Sequence, residues 1–131
     1  MTTVTAAIII RDGKVLIARR NPDLTNGGRW EFPGGKIKAG ESPRGCLKRE
    51  LKEELGIDAE IGEFFIESLY RYPEATVRLL VYNIDAFKGE ITLSSHDRAA
   101  WVQPRDLLAY PLLPADRPVA EALLKETEMK W

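Results

Sequence analysis

The stretch from Glu31 to Ile57 reads EFPGGKIKAGESPRGCLKRELKEELGI, and its second half specifies a helix. Ser42 followed by Pro43 supplies a hydroxyl N-cap and a proline at the first helical position. Gly56 is a fitting stop, so the helix is predicted over about 43–55. Leu47, Leu51 and Leu55 recur every four residues and give it one apolar stripe. Residues three and four apart share a helix face, so Glu50, Glu53 and Glu54 fall within an arc of about 100° beside that stripe. Burying the leucines therefore draws three carboxylates toward the protein. Their repulsion, roughly a few tenths of a kcal/mol per pair, would be reversed by a divalent cation. An all-oxygen site suits Mg²⁺ or Mn²⁺, ions that commonly bridge carboxylates to substrate phosphates. A charge-rich, merely solvated helix has the same composition, so context has to separate the two.

The rest of the chain sets the limits. Its 131 residues suffice for one compact domain, expected over 1–131, and are too few for two ordinary ones. With 44% hydrophobic and 30% charged residues, it is an ordinary globular mixture rather than a disordered one. Nineteen basic residues balance twenty acidic ones, leaving no electrostatic footprint for nucleic acid or an anionic membrane. The single cysteine, Cys46, excludes an internal disulfide and suits a reducing compartment. The opening MTTVTAAIII has no basic region before its apolar run, and no segment approaches 18 apolar residues. The expectation is a cytoplasmic protein, monomer or small homo-oligomer, with a small-molecule substrate.

Strand signals outnumber helical ones. Val4–Ile10 and Lys14–Arg20 flank Asp12-Gly13, a strong hairpin signal. Residues 29–33, RWEFP, read as a short strand entering Gly34-Gly35. Two longer strands, 60–72 and 76–87, flank a turn at Pro73-Glu74. Short strands are expected at 90–93 (EITL) and 99–103 (AAWVQ), followed by a helical turn opened by Pro104. Residues 114–130 read as a C-terminal helix with Asp116 as N-cap. The expected fold is α/β: a curved, mixed sheet packed between helices in an α/β/α arrangement.

The context of the glutamates is decisive. From Gly35 the chain runs five residues to Glu41, seven more to Arg49, and then RELKEELGI. This resembles the Nudix box, G-x5-E-x7-R-E-U-x-E-E-x-G-U with U apolar, and meets every fixed position. Seven specified residues at roughly one in fifteen each make a chance match on the order of 10⁻⁸ per start. The resemblance implies a Nudix fold whose box is a loop–helix–loop. It also implies that Glu50, Glu53, Glu54 and the Gly35 carbonyl hold the metal, with Arg49 and Glu41 pairing to orient the helix. The implied reaction is hydrolysis of a nucleoside diphosphate linked to another group, with a carboxylate deprotonating the attacking water. Glu53 is the expected base.

LIARR, GRWEFPGGK, HDRAAWV and YPLLPADRP extend the similarity to the MutT-type branch, which splits nucleoside triphosphates into monophosphate and diphosphate. That resemblance implies a substrate site at Arg20, Phe32, Gly34, Lys36 and Asp116. Asp116 would read the edge of a cytosine or an oxidised guanine, and helix capping is the plainer role for it. Phe32 and Trp30 share one strand face, where core packing competes with base stacking. One departure stands out: relatives often carry a glutamate where this chain has Ser95. The lone His96 beside it reads as a surface or hydrogen-bonding residue. Cys46 reads as small-residue packing. Two other readings stay open at this point: cleavage of ADP-ribose or a nucleotide sugar, suggested by Pro73, and a non-catalytic nucleotide-sensing module.

Overall fold

Three strands carry apolar residues on both faces, and that pattern sets the layering. In the computed structural model, which describes residues 1–129, β1 (Thr2–Ile8), β3 (Lys14–Arg20) and β7 (Thr76–Lys88) are sandwiched between two cores. Successive strand residues point to opposite faces. Ala6, Ile8, Val15, Ile17, Leu79 and Val81 accordingly enter one core, which the C-terminal helix α2 (Arg117–Met129) covers through Val119, Ala120 and Leu123. Ala7, Ile9, Leu16, Leu80 and Tyr82 enter the other, covered by Leu47, Leu51 and Leu55 of α1 (Pro43–Leu55).

The α/β class and the mixed pairing are as expected, with the strands divided over two four-stranded sheets. One sheet has the order β5-β1-β7-β6, using β5 (Gly34–Lys36) and β6 (Asp58–Arg71); β1 and β7 are parallel and the other pairs antiparallel. In the second, β3 is the hub for β2 (Ile10–Arg11), β4 (Trp30–Glu31) and β8 (His96–Val102). The expected strand over Val4–Ile10 is therefore broken at Ile9, where the chain leaves one sheet for the other. The hairpin turn at Asp12-Gly13 forms as the sequence predicts, with φ of 52° and 77°.

Helix α1 has the predicted ends. Ser42 Oγ accepts from the Gly45 N–H at 3.0 Å, Pro43 opens the helix, and Gly56 closes it at φ 70°. The expected strand at EITL does not form. Instead the Thr92 and Ser94 N–H groups donate to the carbonyls of Leu55 (2.9 Å) and Glu54 (3.3 Å). Those carbonyls lie in the last turn of α1 and have no partner within the helix. The final helix begins at Arg117, so Pro114 to Asp116 precede it, and Lys130, in the expected helix, lies outside the described residues with Trp131. A further short strand, β5, forms at the glycine pair itself; the sequence reading had only a strand leading into it.

Leu51 is fully buried beneath the glutamate face. Truncation to alanine removes its contacts without complete collapse of the space, so Leu51→Ala is expected to cost about 2–5 kcal/mol of stability. Urea unfolding checks it, and a loss below about 1 kcal/mol would mean that α1 is not anchored by its leucine stripe.

Candidate active site

The site begins where β5 runs against β1. A side chain at Gly34 would meet the Thr5 backbone, and one at Gly35 would fall within the Glu50 carboxylate. At Gly34 the close approach to backbone requires the absence of a Cβ, whereas at Gly35 a Cβ would displace the end of the Glu50 side chain. The Gly35 carbonyl accepts from Thr5 Oγ1 at 3.3 Å, with the Cys46 thiol 3.6 Å away. Cys46 is fully buried there, the packing residue its sequence context suggests.

Arg49 organises the helix face. Its guanidinium grips Glu41 through Nε–Oε2 (2.6 Å) and Nη2–Oε1 (2.9 Å), a bidentate pair. The same group donates to Glu50 (2.8 Å), Glu53 (3.1 Å) and the Lys36 carbonyl (3.2 Å). The Arg49 contact, helped by the Lys38 N–H, pulls the Glu41 pKa down to about 2, and Arg49 itself is pushed up. Burial raises the pKa of Glu50 despite Arg49 beside it.

The three carboxylates are not equivalent. Glu50 and Glu54 line a cavity of about 280 Å³ together with Ser95 and His96, and Glu53 does not border it. The Glu53 side chain is 52% exposed on the rim, held by Arg49. The Ser95 hydroxyl donates to Glu54 Oε1 at 3.1 Å, while Glu54 Oε2 is buried without a hydrogen-bond partner. Of the two readings offered for His96, surface or hydrogen-bonding residue, the structure has the second: it is buried, with Nε2 2.8 Å from Glu31 Oε2. It starts β8, three residues earlier than the strand predicted at AAWVQ, and this pairing with β3 carries it inward.

Beside this acidic cavity lies a second one of about 440 Å³, lined by Phe32, Tyr72, Leu79, Leu113 and Asp116 among others. Phe32 is buried and packs in the core, and it also borders this cavity. Asp116 does not cap its own helix with its side chain as expected: Oδ2 accepts the Phe32 N–H at 2.9 Å, across 84 residues. Burial, and then the neighbouring charge of Glu31, raise its pKa well above the ordinary carboxyl value. Arg20, Gly34, Lys36, Gly35 and Glu31 border both cavities. Arg20 is positioned by the Thr25 carbonyl (2.9 Å) and Glu31 (3.4 Å). Arg19, on the opposite strand face, pairs with Asp97 instead.

Sequence reasoning passed over Glu31. It lies on β4 between Trp30 and Phe32, the residue that follows the strand, so burial of the two aromatics turns it to the other face. There it meets His96 Nε2 at 2.8 Å as well as Arg20. The available signal was an acid set between two large apolar residues on one short strand.

A glycine pair pressed against a carboxylate-bearing helix, with a larger cavity alongside, thus sits in a domain whose sheets are covered by α1 and α2. The family profile described as the NUDIX domain matches residues 1–123, and the chain belongs to the Nudix family. A CTP pyrophosphohydrolase of Escherichia coli is 41% identical over 124 residues, covering 95% of this chain and 92% of that protein. An 8-oxo-dGTP diphosphatase of Haemophilus influenzae is 35% identical, covering 93% and 91%. The crystal structure of a MutT protein from Methanosarcina mazei superposes with a TM-score of 0.88 at 28% identity, covering 96% of this chain and 94% of that one.

Nudix hydrolases generally use divalent metal ions. The donor set fits such an ion: the carboxylates offer oxygen donors, and Glu54 Oε2 is a buried acceptor with no hydrogen-bond partner among the described residues. Among the described residues, no three histidine, cysteine or acidic side chains form a ready-made coordination group. Substrate and water oxygens would complete the shell, as is usual for ions bound with phosphates. No described helix is long and apolar enough to cross a membrane.

Glu41 and Asp116 give stability opposite dependences on pH. The Glu41 pKa is lowered on folding, so its contribution is present above the ordinary value of 4.5 and is lost as pH falls toward about 2. The Asp116 pKa is raised on folding, so its neutral form is favoured, and stability falls as pH climbs above the ordinary 3.8 through the raised value. Glu41→Gln is expected to flatten the acid-side decline of Tm, and Asp116→Asn to flatten the decline on the rising side. Thermal melts from pH 2 to 9 check both, and a wild-type slope in either variant refutes the matching assignment.

Proposed function

We propose that this chain is a pyrophosphohydrolase that uses Mg²⁺ or Mn²⁺ to split a nucleoside triphosphate into nucleoside monophosphate and diphosphate, acting as a single domain in the cytoplasmic nucleotide pool. The observation that carries this reading is the shared border of the two cavities. A nucleoside fits the apolar one, and a phosphate chain leaving it runs along Gly34-Gly35 to the carboxylates. The CTP- and 8-oxo-dGTP-cleaving relatives support the same substrate class.

In this scheme Glu50, Glu53, Glu54 and the Gly35 carbonyl hold the metal. The ion supplies charge neutralisation at the diphosphate oxygens and polarisation of the attacking water. The glycine pair lets the phosphates approach the backbone, and Arg20 and Lys36 balance their charge. Arg49, anchored by Glu41, keeps the carboxylates from splaying apart. Water attacks phosphorus, Glu53 accepts its proton, and the anhydride bond between the α- and β-phosphates breaks to release monophosphate and diphosphate; Glu53, half exposed, turns from its 3.1 Å contact with Arg49 to reach the water. Phe32 packs against the base and Asp116 addresses its edge. With Oδ2 occupied by the Phe32 N–H, a neutral Asp116 presents its hydroxyl to the cavity as a donor, which suits the O6 of an oxidised guanine. The ionised form would accept from the N4 amine of cytosine.

Glu53→Gln is expected to lower kcat by at least about 100-fold, the scale of a lost catalytic base or metal ligand, with little change in Tm because the side chain is half exposed. Excess chelator should abolish turnover, and Mg²⁺ or Mn²⁺ should restore it. Near-normal kcat in the variant removes Glu53 from the chemistry; full turnover after exhaustive chelation overturns the metal requirement.

The base is tested by Asp116→Asn, whose amide keeps an acceptor for the Phe32 N–H and turns its NH₂ into the cavity. If oxidised guanine is the substrate base, kcat/KM for 8-oxo-dGTP should hold or rise near neutral pH. If cytosine is, kcat/KM for CTP and dCTP should fall by the equivalent of about 1–2 kcal/mol. Equal changes on all three nucleotides would confine Asp116 to holding Phe32.

A further inference from the structure

We infer that His96 Nδ1 and Glu54 Oε2 form a mixed nitrogen–oxygen site for a divalent transition-metal cation of the Mn²⁺ class, an extension that rests on the metal-dependent reading above. The two atoms face each other at 3.6 Å, and both are buried with no hydrogen-bond partner among the described residues. The other ring nitrogen explains the opposition. His96 Nε2 lies 2.8 Å from Glu31 Oε2, and a carboxylate can only accept, so the hydrogen on Nε2 points to Glu31 and Nδ1 is left as the nitrogen that faces Glu54 and would bind a cation through its lone pair. With no hydrogen on Nδ1, two buried acceptors confront one another, an arrangement that a cation entering between them would relieve.

Each partner is held in place for that role. The Ser95 hydroxyl holds Glu54 Oε1 at 3.1 Å and so turns Oε2 toward the ring. The His96 side chain is only 3% exposed, and Glu31, itself tied to Arg20, fixes its tautomer. A carboxylate that accepts from one imidazole nitrogen while the other faces a metal is the usual support for a ligating histidine. Bonds of about 2.1 Å to each ligand put neighbouring donors ~3 Å apart, so a slight turn of Glu54 closes the gap. Glu50 borders the same cavity, and water or phosphate oxygens can fill the remaining positions. A nitrogen ligand shifts preference away from Mg²⁺, which favours oxygen, toward Mn²⁺ and its neighbours.

His96 is the chain's sole histidine, which makes the test unambiguous in tag-free protein. Mn²⁺ alone is added to the wild type, and electron spin-echo modulation is recorded with natural-abundance and with ¹⁵N-histidine-labelled protein. The expected result is an imidazole ¹⁴N coupling that converts to ¹⁵N on labelling, together with at least tenfold weaker Mn²⁺ binding in His96→Gln. Mn²⁺ bound with affinity sensitive to Glu54→Gln but with no nitrogen coupling would overturn the site and leave the metal-dependent reading standing. Absence of Mn²⁺ binding, with or without nucleotide, would overturn both.

Discussion

The guanidinium of Arg49 holds the acidic face together. It contacts Glu41, Glu50, Glu53 and the Lys36 carbonyl at once, joining the loop before α1, the helix itself and the end of β5. Three carboxylates on one helix face repel, and a partly buried pair of charges costs desolvation. A planar fork that satisfies several acceptors offsets both, which a lysine point charge could not do with the same geometry. Because Glu41 takes two of the donors in a bidentate grip, the orientation of the helix and of its remaining carboxylates follows from one pair.

That helix face would be a mere surface without the approach of β5. The glycine pair lets the strand lie against Thr5 on one side and the Glu50 carboxylate on the other. The result is a polar floor directly beneath the carboxylates. On the far side of the same glycines the apolar cavity opens toward the core covered by α2. The chain changes sheets at Ile9, so β1 pairs with the glycine strand β5 in one sheet while β3 pairs with β4, which carries Glu31, in the other. Apolar and acidic cavities then share a border only a few residues wide.

Charge distribution across that border is uneven in a way that suits a nucleotide. Glu41 is held ionised by Arg49, while Glu50 and Asp116 are pushed toward their neutral forms by burial. Cations stand between them: Arg20 and Lys36 border both cavities. The smaller cavity is thus acidic with cations beside it, and the larger one sets apolar side chains such as Phe32, Leu79 and Leu113 beside the buried Asp116.

The sequence by itself determined the local pieces. Ser42-Pro43 and Gly56 marked both ends of α1 because caps act through neighbouring backbone groups. Asp12-Gly13 marked its hairpin because only certain residues take positive φ cheaply. Helix period put Glu50, Glu53 and Glu54 on one face, and the resemblance to the Nudix box brought out Gly35, Glu41 and Arg49. What it could not decide were pairings between distant segments. EITL has a strand-like composition, and only the open C-terminal carbonyls of α1 made it a cap. Asp116 sits at a helix start, and only the Phe32 N–H across the fold drew its side chain away. His96 looked like a loop histidine until pairing of β8 with β3 carried it between Glu31 and Glu54. In each case the deciding partner lies far along the chain, and unpaired polar groups or buried surface, which exist only after folding, made the choice.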